Sequence, residues 1–74
     1  MKDVLGIPTK IGDSILYVYD NKFLIGKIIR DDVEEKYNIY GDITVESGDL
    51  QTFVRNENFI RINDIIEKNP QYFI

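Results

Sequence analysis

The chain has 74 residues, no cysteine, no histidine and a formal net charge of −4. A chain this short makes one domain and buries only about 60% of its unfolded surface, so its core is marginal. Without cysteine, neither disulfides nor thiolate metal sites supplement that core, and a tightly packed barrel or self-association must do so.

Residues 1–13, "MKDVLGIPTKIGD", lack the apolar run of a signal peptide. "IPTKIGDS" is punctuated by Gly6, Pro8 and Gly12 and reads as an irregular lead-in. "ILYVY" (15–19) is β-branched and aromatic and reads as a first strand. "DNK" (20–22) is a turn, since Asp and Asn tolerate left-handed backbone. "FLIGKIIR" (23–30) is a second strand, in which Gly26 suggests a bulge or bend. "DDVEE" (31–35) is a charged loop, and "KYNIYG" (36–41) with "DITVES" (42–47) forms a third strand with a bulge at Gly41. "SGD" (47–49) is a hairpin turn into a fourth strand, "LQTFVR" (50–55). "NEN" (56–58) turns into a short fifth strand, "FIRI" (59–62). Asn63 is placed to cap a short helix over 63–69, which Pro70 stops, leaving an apolar tail over 70–74. Five short strands joined by tight turns predict a mainly β, single-domain closed barrel over 12–62.

Gly12-Asp13-x-Ile15-x-Tyr17, Phe23-x-x-Gly26-Lys27-Ile28, Tyr37-x-Ile39, Phe53-Val54 and Phe59-Ile60-Arg61-Ile62 together resemble the strand skeleton of SH3-like barrels of the Tudor and KOW type. The resemblance implies a five-stranded SH3-like barrel with a short C-terminal helix. In Tudor-like barrels, aromatics of the first strands cage methylated cations by cation–π attraction. Tyr17 or Tyr19, Phe23, Tyr37 and Tyr40 occupy the matching positions, with Tyr17 and Tyr19 on one strand face. The plainer reading of the same rings is core and rim packing.

Gly12-Asp13-Ser14 resembles the nucleophile block of GDSL-type hydrolases. Such a serine needs a general base, usually histidine, and the chain has none. The triplet therefore reads as the turn entering the first strand, and no catalytic residue is assigned. The acidic run from Asp31 fails the spacing of a calcium loop, because its sixth residue is Lys36 and not glycine. No metal and no cofactor is expected. "NPQY" (69–72) matches a phosphotyrosine-binding-domain ligand, but a helix stop accounts for it.

Charge is unevenly placed. Residues 31–49 carry seven acids against Lys36 alone, whereas the rest carries six acids against eight bases. Asp31, Asp32, Glu34 and Glu35, beside Tyr37 and Tyr40, compose an interaction patch in which rings supply affinity and charges supply steering. Tyr17, Tyr19 and Phe23 are a further aromatic patch. The expected function is non-enzymatic: a small acidic accessory or regulatory protein that engages a protein partner with a basic surface. A phage-type inhibitor occupying a nucleic-acid-binding surface of a host protein fits the size, the charge and the AT-rich coding bias of an Ile-, Lys- and Asn-rich composition. The alternative is a nucleic-acid-associated Tudor- or KOW-like barrel, with Lys22, Lys27, Arg30, Arg55 and Arg61 as its basic patch. No stretch is long and apolar enough to span a bilayer, so a cytoplasmic location is expected, the host cytoplasm if phage-encoded.

Net −4 leaves too few uncompensated cations for phosphate binding. Negligible affinity for duplex DNA is therefore expected near physiological salt. Filter binding at about 150 mM salt checks this, and a sub-micromolar dissociation constant would overturn the charge argument.

Overall fold

Turn chemistry sets where the strands begin and end. The structure is a computed structural model that describes residues 1–31 and 42–72, the side chain of Tyr72 excepted. β1 (Ser14–Tyr19) and β2 (Lys22–Asp31) are joined by Asp20 and Asn21, whose φ angles are 51° and 60°. Two central residues of positive φ make a type I′ turn, whose twist matches that of the flanking strands. β3 (Asp42–Ser47) and β4 (Leu50–Arg55) are joined through Gly48, at φ 59°, and Asp49. β5 (Ile60–Arg61) leads into α1 (Asn63–Lys68) and then a 3₁₀ turn at Pro70–Tyr72. The expected strand over 36–41 and its bulge at Gly41 lie outside the described residues.

The fold is mainly β, with five antiparallel strands in one sheet of order β4-β3-β2-β1-β5. The sequence predicts a closed barrel, and the sheet is not closed. β4 and β5 are its two edges, and among the described residues no ladder joins them. One face of the sheet carries the core: Ile15 and Tyr17 from β1, Ile28 from β2, Ile43 and Val45 from β3, and Val54 from β4, with Phe59 packed among them. Each such side chain contributes about 1.5–3 kcal/mol when fully removed from water. Met1 and Leu24 pack against the rim of this cluster.

The bulge is not at Gly26, where the sequence suggests one. It falls at Ile29, where the β2–β3 register shifts between Ile28 and Arg30. Gly26 is required for another reason. A Cβ there would stand 2.6 Å from the carbonyl oxygen of Glu46 and 2.9 Å from Val45 Cγ1. The backbone of β3 thus passes too close for any side chain.

The helix also starts differently from expectation. Ile62 occupies the N-cap position, and no side chain caps the helix. Asn63 is the first helical residue, and its amide is spent elsewhere, as described below. At the other end Asn69 closes the helix, its backbone N–H donating to the carbonyls of Ile65 and Ile66. Among the described residues no helix is long and apolar enough to cross a membrane.

Gly26→Ala forces a methyl group against β3 backbone that cannot rotate away. The expected cost is about 1–3 kcal/mol, the usual range for overpacking. Urea denaturation measures it, and a midpoint equal to wild type would show that β3 yields.

Candidate functional site

Two features stand out: a polar joint built on Arg61 and an apolar groove between the sheet edges. Asp13, the middle residue of the Gly-Asp-Ser triplet, is buried at the turn into β1. Its Oδ2 accepts from the backbone N–H of Lys10 at 3.0 Å and from Arg61 Nε at 3.2 Å. Its Oδ1 accepts from Asn63 Nδ2 at 3.1 Å. Asn63 Oδ1 in turn accepts from the N–H of Ser14 at 2.7 Å, so the residue expected to cap α1 instead ties α1 to the start of β1.

Asp3 is the second buried carboxylate, 1% exposed. Its Oδ1 accepts from the N–H groups of Leu5 and Ile7 at 3.0 and 2.8 Å, and its Oδ2 from that of Arg61 at 3.0 Å. Burial pushes the Asp3 carboxyl up, but these three N–H groups and the Arg61 charge together outweigh it. The group therefore sits below its ordinary value of 3.8. The segment it organises folds back on itself through the Lys2–Pro8 bridge. It docks on the chain before β5, where Val4 N–H donates to the Phe59 carbonyl at 2.9 Å. Every oxygen of both carboxylates has a donor, so the chemistry available here is positional.

The groove is an open cavity of about 460 Å³. Val4, Leu16, Val18, Phe23, Phe53 and Ile60 line it together with the core residues Tyr17, Val54 and Phe59, and Arg55 is the charged residue in it. Its walls come from both sides of the unclosed sheet, β4 on one and β1 with β5 on the other. Val18 and Phe23 face each other directly in the β1–β2 register. Val18 is 60% exposed, Phe23 74% and Phe53 72%. These open rings and branched side chains gather around one cavity.

The structure separates the residues singled out from the sequence. Tyr17 does not join a surface patch: it is 1% exposed and belongs to the core. Burial pushes its hydroxyl up from the ordinary value of 10.0. The neighbouring Ser47 hydroxyl opposes this but stands outside hydrogen-bonding geometry with it, and donates to the Ile25 carbonyl at 2.8 Å. Tyr19, two residues on, lies at the hairpin end and is exposed, and it does not line the groove. Of the three rings, Phe23 lines the groove as an exposed side chain and Tyr17 from the core beneath it, together with Val4 and Val18, which the sequence reading does not single out, and Phe53 and Ile60, which it places only in the strand skeleton. Their signal was present. "ILYVY" and "FLIGKII" are apolar on both faces, and a strand so built has both faces covered by something. Asp31 ends β2, exposed and paired in register with Ile43. Asp32, Glu34, Glu35, Tyr37 and Tyr40 lie outside the described residues. Of the basic residues Lys22, Lys27, Arg30, Arg55 and Arg61, Arg61 is turned inward onto Asp13.

Comparison of the chain with protein-family models, with curated proteins and with solved structures finds no significant match in any of the three.

Asp3→Ala leaves three backbone donors without their acceptor. The expected loss is about 3 kcal/mol, within reach of the penalty for unsatisfied buried groups. Because the folded carboxyl lies below 3.8, the unfolded chain takes up the proton first. The contribution of Asp3 is therefore complete above that value and is lost as pH falls through it toward the lower folded value. Urea midpoints of wild type and Asp3→Asn, compared from about pH 6 down to about pH 3, should converge as pH falls. Parallel curves would place the carboxyl at its ordinary value.

Proposed function

We propose that this chain is a non-catalytic protein-binding module of SH3-like architecture, and that it binds through the groove. One observation carries the reading: Val18, Phe23 and Phe53 stand open to solvent around a single apolar cavity. The strand order supports the architecture. A four-strand meander whose fifth strand returns to pair with the first is the order of SH3-like barrels, here with the closing contact left open. Charge supports the class of partner. A net of −4, with Asp20 in the turn beside Phe23 and Asp31 exposed at the end of β2, favours a basic protein surface. Covering such a surface where it would otherwise hold nucleic acid is the regulatory role this chemistry fits. Asp32, Glu34, Glu35, Tyr37 and Tyr40 continue the acidic, aromatic character of the chain from Asp31 and are proposed to add steering.

Burying one phenylalanine ring on binding is worth about 1.5–3 kcal/mol. The double variant Phe23→Ser, Phe53→Ser should therefore bind its partner about a hundredfold or more weakly. Both rings are exposed, so thermal stability should stay within roughly 0.5 kcal/mol of wild type. The partner is isolated on immobilised wild type from a low-GC bacterial lysate, and its affinity for both proteins is then measured by calorimetry. Equal affinities would overturn the groove as the binding surface.

A further inference from the structure

The ladder phase shows what the groove offers besides apolar side chains. In a two-residue hairpin the residues flanking the turn exchange both backbone hydrogen bonds, and bonding residues then alternate along the strand. Tyr19 and Lys22 flank the first turn, so Ile15, Tyr17 and Tyr19 bond toward β2. Ser14, Leu16 and Val18 then point their backbone groups the other way. The N–H of Ile62 donating to the Ser14 carbonyl at 2.9 Å confirms this phase. Ser14 and Leu16 are met by the chain of β5, and β5 ends there. Ser47 and Leu50 flank the second turn, so Leu50, Thr52 and Val54 bond toward β3. Gln51 and Phe53 turn their N–H and C=O groups outward. Among the described residues, no backbone hydrogen bond reaches those groups or the outward pair of Val18. Val18 and Phe53 both line the groove.

The β4 edge also lacks the features that protect edges from pairing. Residues 50–54, Leu-Gln-Thr-Phe-Val, contain no charge and no proline, and the β3–β4 register runs without a bulge. The gap between the sheet edges thus presents free donors and acceptors beside an apolar floor. We propose that the groove receives one extended segment of a partner protein, which adds as a strand along β4 and lays alternate apolar side chains into the cavity. This rests on the groove being the binding surface. Charge selects the occupant. A second copy of this chain would bring a further net −4 to a molecule that already carries −4, whereas a segment flanked by Lys or Arg is attracted by that net charge. Backbone pairing supplies affinity and the alternate side chains supply specificity.

The test is selection of random peptides of about nine residues, roughly 30 Å when extended, on the wild-type protein. Selected peptides should alternate apolar with polar residues and carry Lys or Arg at their ends. N-methylation at one alternate set of amides should weaken binding about tenfold or more, the value of a hydrogen bond, and methylation of the other set should not. Gln51→Pro removes an outward N–H while leaving the β3 ladder and the groove side chains in place, and it should weaken binding comparably. The methylated peptides make the same test on unaltered protein, should this variant fold poorly. Selection of no peptide, selection of helical or proline-rich ones, or indifference to both methylation sets would overturn the proposal. So would dimerisation through β4, seen by sedimentation equilibrium as abolished in Gln51→Pro. Loss of binding in the Phe23→Ser, Phe53→Ser variant without response to Gln51→Pro would retain the groove and reject the strand. Indifference to all these variants would reject both.

Discussion

Arg61 is held from two directions, and the rest of the molecule is arranged around that grip. Its guanidinium meets Asp13 at the entrance to β1, and its backbone N–H meets Asp3 in the N-terminal segment. β5 has two residues and two ladder pairs with β1, too few to hold a strand by backbone bonding alone. The side-chain contacts make up the deficit. Once β5 is fixed, Phe59 on one side and Ile62 on the other are placed among the buried residues. The arrangement carries its own electrostatic demand. Two buried carboxylates converge on Arg61, Asp13 on its guanidinium and Asp3 on its backbone N–H, and an uncompensated buried charge is costly. Asp3 meets that demand with three backbone N–H donors, which requires the N-terminal segment to turn sharply around it. Sequence-distant pieces are thereby locked together: the first turn of the chain, the start of β1, β5 and the start of α1.

The groove follows from how far the sheet curls. Gly26 lets β2 approach β3 closely and the bulge at Ile29 shifts their register, while one face of the sheet fills with the core. The curl stops before β4 meets β1 and β5, and the cavity occupies the remaining space. A longer β5 would pair with the outward groups of Val18 and narrow the gap. The short strand and the open groove are therefore one feature, and the Arg61 joint is what allows so short a strand to persist.

Local features were legible in the sequence and long-range ones were not. Both hairpins could be placed, because Asp20-Asn21 and Gly48-Asp49 carry their backbone preferences within the turn itself. Asn63 does not cap α1 because its partners, Ser14 and Asp13, are far away in the chain, where local spacing gives no sign of them. Asp3 gave a local hint, a carboxylate ahead of a tight turn ending at Gly6, but its burial depends on Arg61. Tyr17 and Tyr19 share a face by alternation. What separates them is distance from the hairpin end, because the core covers one and stops before the other. Closure was expected from strand count, but it depends on coil and edge geometry, which no residue type encodes by itself.

The apolar groove and the acidic charge are best understood together. The protein exposes Val18, Phe23 and Phe53 on one surface while burying a core of only a few side chains, a balance that favours association. Two copies meeting face to face would cover those side chains but would bring like charges together, and self-repulsion opposes that contact most strongly at low salt. A basic partner reverses the sign of the same interaction. On the proposed reading, the groove would discriminate by what it excludes as well as by what it accepts. A like-charged copy gains the apolar contact and pays in repulsion, and a basic segment gains on both counts. Such a separation of roles, with apolar area for affinity and net charge for choice of partner, would let a surface this hydrophobic remain selective on so small a scaffold.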